Sequence, residues 1–82
     1  MHEETVRRTL EEHGQLAVAV ESLAGDDDLY AAGLTSHATV NVMLALEDEF
    51  GFEFPEHLVR RSTFASVTAL SAAVEEALGT AG

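Results

Sequence analysis

Apolar side chains recur along this chain in different rhythms, and each change of rhythm marks a change of element. Between positions 3 and 13, Val6 and Leu10 lie four apart among charged neighbours, which is the spacing of one helix face, and Gly14 stops the run. Glu3/Arg7 and Glu4/Arg8 stand at i,i+4 with opposite charge, as expected on the solvent side of that helix. From 15 to 35, Leu16, Val18, Val20, Leu23, Leu29 and Leu34 keep no sustained helical period, and Gly25-Asp26-Asp27-Asp28 breaks the middle. This stretch is expected to be a long loop with an apolar underside, and loops of such length in a compact domain are usually functional.

Periodicity resumes at Ser36: Thr39, Met43, Leu46 and Phe50 share a face, with Val40 and Val42 beside them, until Gly51 closes the helix. Phe52-Glu53-Phe54-Pro55 reads as extended, because proline restricts its predecessor to extended backbone. Residues 56–61, with Leu58 and Val59, are expected to form a short third helix. A last helix carries Val67, Leu70, Val74 and Leu78, capped by Ser62 or Thr63, and Thr80–Gly82 are expected to fray. With no internal repeat, the pattern predicts an all-α fold: one domain over 1–82, a four-helix bundle with helices at 3–13, 36–50, 56–61 and 64–78.

Composition narrows the function. A chain of 82 residues spends most of its apolar side chains on its own core, which argues against a self-contained enzyme with a water-excluding site. Acids outnumber bases 15 to 4, for a net charge of −11, so nucleic acid and anionic membrane are poor partners and basic protein surfaces are good ones. There is no cysteine, hence no disulfide and no thiol of the chain's own. No stretch approaches the length of a membrane span, and the opening Met1-His2-Glu3-Glu4 is acidic where a signal peptide is basic; a cytoplasmic monomer is expected.

Candidate chemistry centres on Ser36, where the long loop meets an amphipathic helix. A helix N-terminus offers open N–H groups and the positive end of the dipole, a setting that holds a phosphodiester on a serine. The bland alternative is that Ser36 only caps its helix. Other constellations fail. His2, His13, His37 and His57 lack the paired spacing of a zinc site. Asp26-Asp27-Asp28 lacks the glycine and glutamate of a calcium loop, with Ala31 and His37 in their places, so no metal is expected. A hydrolase built on Ser36 needs an oriented base, and the adjacent His37 is poorly placed for that role.

Gly33-Leu34-Thr35-Ser36, Thr39-Val40, Ala45-Leu46-Glu47-Asp48-Glu49-Phe50-Gly51 and Glu53-Phe54-Pro55 together resemble the acyl carrier protein family, without a gap from Ser36 to Pro55. The resemblance covers roughly residues 14–74. It implies the family's four-helix bundle and a 4'-phosphopantetheine arm, delivered from coenzyme A by a phosphopantetheinyl transferase, on Ser36. It departs from the family at the attachment site, where Thr35-Ser36-His37 replaces the commoner Asp-Ser-Leu, and at Ala38 and Asn41, where acids are usual.

Gly14-Gln15-Leu16, Asp28-Leu29-Tyr30-Ala31-Ala32-Gly33-Leu34 and Arg61-Ser62-Thr63-Phe64-Ala65-Ser66 resemble, more narrowly, the aminoacyl carrier proteins. These are served by amino acid:carrier protein ligases resembling seryl-tRNA synthetase. The implied function is a free-standing carrier that holds an aminoacyl thioester, acts as substrate of partner enzymes and passes its cargo to a downstream acceptor. An acyl or malonyl carrier of fatty-acid or polyketide-type biosynthesis, and an unmodified helical adaptor, are the alternatives. Thr35, His37, Val40, Asn41, Leu44, Glu47 and Asp48 are the candidate docking residues around Ser36. The charge run at 47–49 is either a docking patch or is paired with Arg60 or Arg61.

Overall fold

In the computed structural model, which describes residues 2–81 apart from the side chains of Thr80 and Ala81, the chain folds into three α-helices. They are α1 (Glu3–His13), α2 (Ser36–Phe50) and α3 (Val67–Ala81), and no strand occurs among the described residues. Thr80 and Ala81, expected to fray, continue α3, and Gly82 lies outside the described residues. Helix α1 packs against both α2 and α3 and buries Val6, Thr9 and Leu10. The Thr9 hydroxyl is satisfied by donating to the Thr5 carbonyl at 2.9 Å. The first two helices keep the expected bounds. Gly14 ends α1 in right-handed backbone (φ −78°), and the left-handed residue is Gln15 (φ 52°).

The core stripe of α2 is Ala38, Val42 and Leu46, at i, i+4 and i+8, all fully buried. That is one position off the expected face: Thr39, Met43 and Phe50 sit half-buried at its edge. Small Ala38 at the first turn lets the loop residues Leu29 and Leu34 close over α2 within one contiguous core. Gly51 adopts the left-handed conformation (φ 66°) and its N–H, with that of Phe52, donates to the Glu47 carbonyl, ending α2. Phe52 and Phe54 then bury on alternate positions while Glu53 points out, the two-residue period of extended chain. Their rings join Phe50 and Phe64 in a file with centroids 4.9–6.3 Å apart.

No α-helix forms over 56–61. Two 3-10 turns, Glu56–Leu58 and Arg61–Phe64, flank an extended Arg60 (φ −151°, ψ 162°). Leu58, Thr63 and Phe64 are all buried, and positions five and six apart fall on diverging sides of a continuous helix, so the chain breaks between them to turn both groups inward. The last helix begins later than expected, at Val67 rather than 64, and runs beyond 78. Its cap is Ser66, whose hydroxyl accepts the Ala69 N–H at 3.0 Å, and not Ser62 or the buried Thr63.

The 14–35 segment has the expected apolar underside, with Val20, Leu29 and Leu34 buried and Leu16 and Leu23 packed on the core, although Val18 is exposed. A 3-10 turn at Val20–Ser22 is its one helical piece. The Arg7 guanidinium donates to the Val20 and Leu23 carbonyls at 3.0 and 2.9 Å and also pairs with Glu3. The pairing expected between Glu4 and Arg8 is absent; Arg8 lies 3.4 Å from Glu49 instead. Further along, the Leu29 N–H donates to the Ala65 carbonyl at 2.8 Å and the Thr68 N–H to the Gly25 carbonyl at 2.9 Å.

The two leucines of α2 separate core from surface. Leu46→Ala is expected to lower stability by about 2–5 kcal/mol, whereas Leu44→Ala, at a side chain 53% exposed, stays within about 0.5 kcal/mol. Urea unfolding of both variants checks this; comparable losses would show that Leu44 is a core residue.

Candidate functional site

Two hydroxyls compete for the start of α2, and Thr35 takes the cap. Its backbone is extended (φ −94°, ψ 166°) and its Oγ1 accepts the Ala38 N–H at 3.0 Å. Ser36 is therefore the first helical residue and not the cap. Its side chain is exposed, and its hydroxyl has no hydrogen-bond partner among the described residues. The backbone N–H groups of Ser36 and His37 likewise have none, and the first turn of α2 contains no acid.

The approach to Ser36 is set by the loop. Gly33 has φ 113°, and a Cβ there would stand 3.0 Å from the Ala17 nitrogen, whose N–H donates to the Ala32 carbonyl. The Leu34 N–H donates to the Leu29 carbonyl at 3.0 Å, closing the turn that delivers Thr35 to its capping position.

Ser36 opens onto a cleft of about 250 Å³. One wall is the α2 face of Ser36, Thr39, Val40 and Met43, spaced i, i+3, i+4 and i+7. The other is built from Tyr30, Phe64 and the segment Val59-Arg60-Arg61. Tyr30 and Arg61 lock together: the phenol donates to the Arg61 carbonyl at 2.8 Å, while the guanidinium lies 3.9 Å from the ring centroid. Burial raises the Tyr30 pKa; the Arg61 charge opposes this and the Asp28 charge adds to it.

A phosphodiester arm fits these residues. An exposed, unpartnered hydroxyl is available for bonding, two open N–H groups and the positive end of α2 face the added charge, and an apolar cleft runs from the serine.

The other predicted docking residues divide. His37, Val40, Leu44 and Asp48 are exposed, and Val40 also lines the cleft. Asn41 is half-buried. Thr35 is occupied as the cap, and Glu47 accepts the Phe54 N–H at 2.9 Å, so it holds the extended exit from α2. Asp48, twelve residues along from Ser36, stands about 18 Å down the helix. Neither Arg60 nor Arg61 pairs with the 47–49 run: Glu49 meets Arg8. Sequence reasoning missed Thr35 as the cap and the Tyr30–Arg61 lock. The adjacent hydroxyls of Thr35-Ser36, of which one alone can cap, were the available signal for the first.

Among the described residues, no group of three or more His, Asp or Glu side chains comes together in a metal-holding arrangement. Asp27 and Asp28 instead accept the N–H groups of Ala24 and Tyr30, at 2.8 and 2.9 Å.

Comparison with known proteins bears on the same residues. A family model described as "Phosphopantetheine attachment site" matches residues 5–74. The chain is 45% identical over 71 residues to the aminoacyl carrier protein of Agrobacterium fabrum, covering 87% of this chain and 86% of that one. It matches a chain in the crystal structure of an engineered Bradyrhizobium japonicum glycine:[carrier protein] ligase complexed with carrier protein from Agrobacterium tumefaciens and AMP. That match has a TM-score of 0.86 and 44% identity, and it covers 89% of this chain and 97% of the other. A chain in the structure of the Bradyrhizobium japonicum ligase complexed with glycylated carrier protein matches with a TM-score of 0.75 and 29% identity, covering 88% and 96%.

The division of labour between the hydroxyls is measurable. Thr35→Ala is expected to cost about 1 kcal/mol for the lost cap, and Ser36→Ala less than about 0.5 kcal/mol; equal losses in urea unfolding would return the cap to Ser36.

Tyr30 is the one tyrosine in a chain without tryptophan, so its phenolate absorbance can be followed directly. Its midpoint should lie above the ordinary 10.0 in the folded protein and return to it in urea. Because the folded state binds this proton more tightly, the associated stability is present below pH 10.0 and declines as pH rises through the folded midpoint. A folded midpoint at or below the unfolded one would contradict the assignment.

Proposed function

This chain belongs to the phosphopantetheine attachment-site family, a family of carriers that act as substrates of partner enzymes rather than as catalysts, and from that premise we propose that it is an aminoacyl carrier with Ser36 as its attachment residue. The observation that carries the reading is the exposed Ser36 hydroxyl, left without a partner because Thr35 caps α2. The arm supplies the thiol that a chain without cysteine lacks, on which an aminoacyl group is held as a thioester. The chain's own part is positional. The Ser36 and His37 N–H groups hold the added negative charge, the loop keeps the serine outward, and the Val40–Met43 face gives the arm a surface to follow.

Identity of 45% to an aminoacyl carrier protein supports an amino acid as cargo. A phosphopantetheinyl transferase, an amino acid:carrier protein ligase and a downstream acceptor are then the partners. His37, Val40, Leu44 and Asp48 form the docking face, with Leu44 and Val40 as exposed apolar contacts. No helix among the described residues is long and apolar enough to cross a membrane, and a carrier served by enzymes that use coenzyme A and ATP works in the cytoplasm. The two 3-10 turns over 56–64 together serve as the third of four helical elements in an acyl-carrier-type bundle.

Incubation with coenzyme A and a broad-specificity phosphopantetheinyl transferase should add a single phosphopantetheine, located on Ser36 by peptide fragmentation. A glycine-type carrier ligase with ATP should then add a small amino acid, and Ser36→Ala should accept neither. A folded protein that takes no arm would sink the carrier reading, and an arm that accepts malonyl but no aminoacyl group would move the cargo to the acyl alternative.

A further inference from the structure

Positive charge in this molecule is placed unevenly. The chain has 15 acidic residues and four bases, all arginines. Arg7 is committed to Glu3 and to the Val20 and Leu23 carbonyls, and Arg8 lies beside Glu49. Arg60 and Arg61 are exposed, and among the described residues neither lies within ion-pair distance of a carboxylate. Both line the cleft that starts at Ser36.

Where acids outnumber bases 15 to 4, two neighbouring guanidiniums outside ion-pair distance of any carboxylate among the described residues keep their donors for an anion, although Asp26 and Asp28 border Arg61 and Glu76 borders Arg60. Arg61 is already ordered by its stacking on Tyr30, so fixing it on a ligand costs little further side-chain entropy. The Arg60 side chain has no hydrogen-bond partner among the described residues and keeps its full set of donors for one. The extended backbone at Arg60, which breaks the 56–64 segment into two turns, is what sets both arginines on the cleft wall opposite α2.

Resting on the reading of Ser36 as the attachment residue, we propose that Arg60 and Arg61 form an anion subsite that holds the phosphodiester of the arm. That group is bonded directly to the serine oxygen and carries the arm's charge at the mouth of the cleft; the remainder of a pantetheine is neutral amide and thiol. A guanidinium fork matches the geometry of phosphate oxygens, and Arg60 and Arg61 line the same cleft as Ser36. Held by the arginines as well as by the helix N–H groups, the phosphodiester directs the arm along Val40, Met43 and Phe64 instead of leaving it to swing at random. The α-ammonium of an aminoacyl cargo is repelled by the same arginines, which favours the loaded end standing away from the cleft mouth.

The test compares unmodified and phosphopantetheinylated protein, without cargo, by the arginine Nε–H signals in nitrogen-15 spectra and by the phosphorus-31 line of the arm. Arg7 and Arg8 are internal controls. The signals of Arg60 and Arg61 should shift several-fold further than those of Arg7 and Arg8, and the phosphorus line should narrow in Arg60→Gln, an exposed site where the fold is retained. If intact mass proves the arm on Ser36 and all four arginines shift alike or not at all, the subsite is wrong while the carrier reading stands. If Arg60 and Arg61 move only after a cargo bearing a side-chain carboxylate is loaded, they read cargo and the proposal also fails. If mass shows no arm on Ser36, both readings fall together.

Discussion

The exposed end of α2 depends on how the 14–35 segment is fastened. Ordering a long segment without regular structure costs conformational entropy at every residue, and the burial of Val20, Leu29 and Leu34 offsets only part of that cost. The fastening is therefore done from three sides. Arg7 gathers the Val20 and Leu23 carbonyls onto α1, Leu29 and Gly25 exchange backbone hydrogen bonds with the start of the last helical region, and Tyr30 ties to Arg61. Leu29 sits at the centre, fully buried, with its N–H on Ala65 and its carbonyl accepting from Leu34. Loosening that point would move Thr35 and Ser36 together, because the turn through Gly33 is closed on Leu29 and Tyr30.

From this constraint follows the separation of two adjacent hydroxyls. The loop delivers Thr35 in extended backbone, so Thr35 caps and Ser36 is left facing water with open N–H groups beside it. A serine doing both jobs would have its oxygen committed to the helix, and bonding an arm to it would cost the cap. With the roles split, a group bonded to Ser36 would leave the helix start intact. Thr39 reinforces the arrangement by donating both its N–H and its hydroxyl to the Thr35 carbonyl.

Much of this was legible in the sequence where one signal acted alone. Val6 and Leu10 ended by Gly14, and the run from Ser36 to Gly51, gave α1 and α2 their bounds, since amphipathic period and stop residue agreed. Ser36 itself stood out through its position and through the motif around it. The reading slipped where tertiary demands outweighed local pattern. The face of α2 was off by one position because Thr39, Met43 and Phe50 have the right spacing but border the core, and small Ala38 gave no hydropathy signal for the place it holds. The 56–61 helix failed because Leu58 and Phe64 must both turn inward, a requirement set by helices distant in sequence. The Glu4/Arg8 pairing failed, and the part Glu47 plays in holding the exit from α2 was not foreseen, for a similar reason: Glu49 and the Phe54 N–H are partners that only the fold brings near. That Arg60 and Arg61 share a wall with Ser36 likewise depends on the break at Arg60, which periodicity does not encode.

The same helix serves stability and display, turn by turn. Ala38, Val42 and Leu46 point inward at every fourth position, Ser36, Val40 and Met43 line the cleft, and His37, Leu44 and Asp48 face out. In an 82-residue chain the core is small, and every apolar residue left on the surface is one not stabilising it. Val40 and Leu44, about half exposed, are therefore a cost to the isolated domain, whose recovery requires another surface to cover them. The charge distribution points the same way: an acidic body suits basic partners in transient contact, while Arg60 and Arg61 stand at the cleft beside Ser36. A helix built for its own stability alone would exchange both apolar residues for polar ones and lose nothing from the core, so Val40 and Leu44 beside Ser36 carry no stability role of their own.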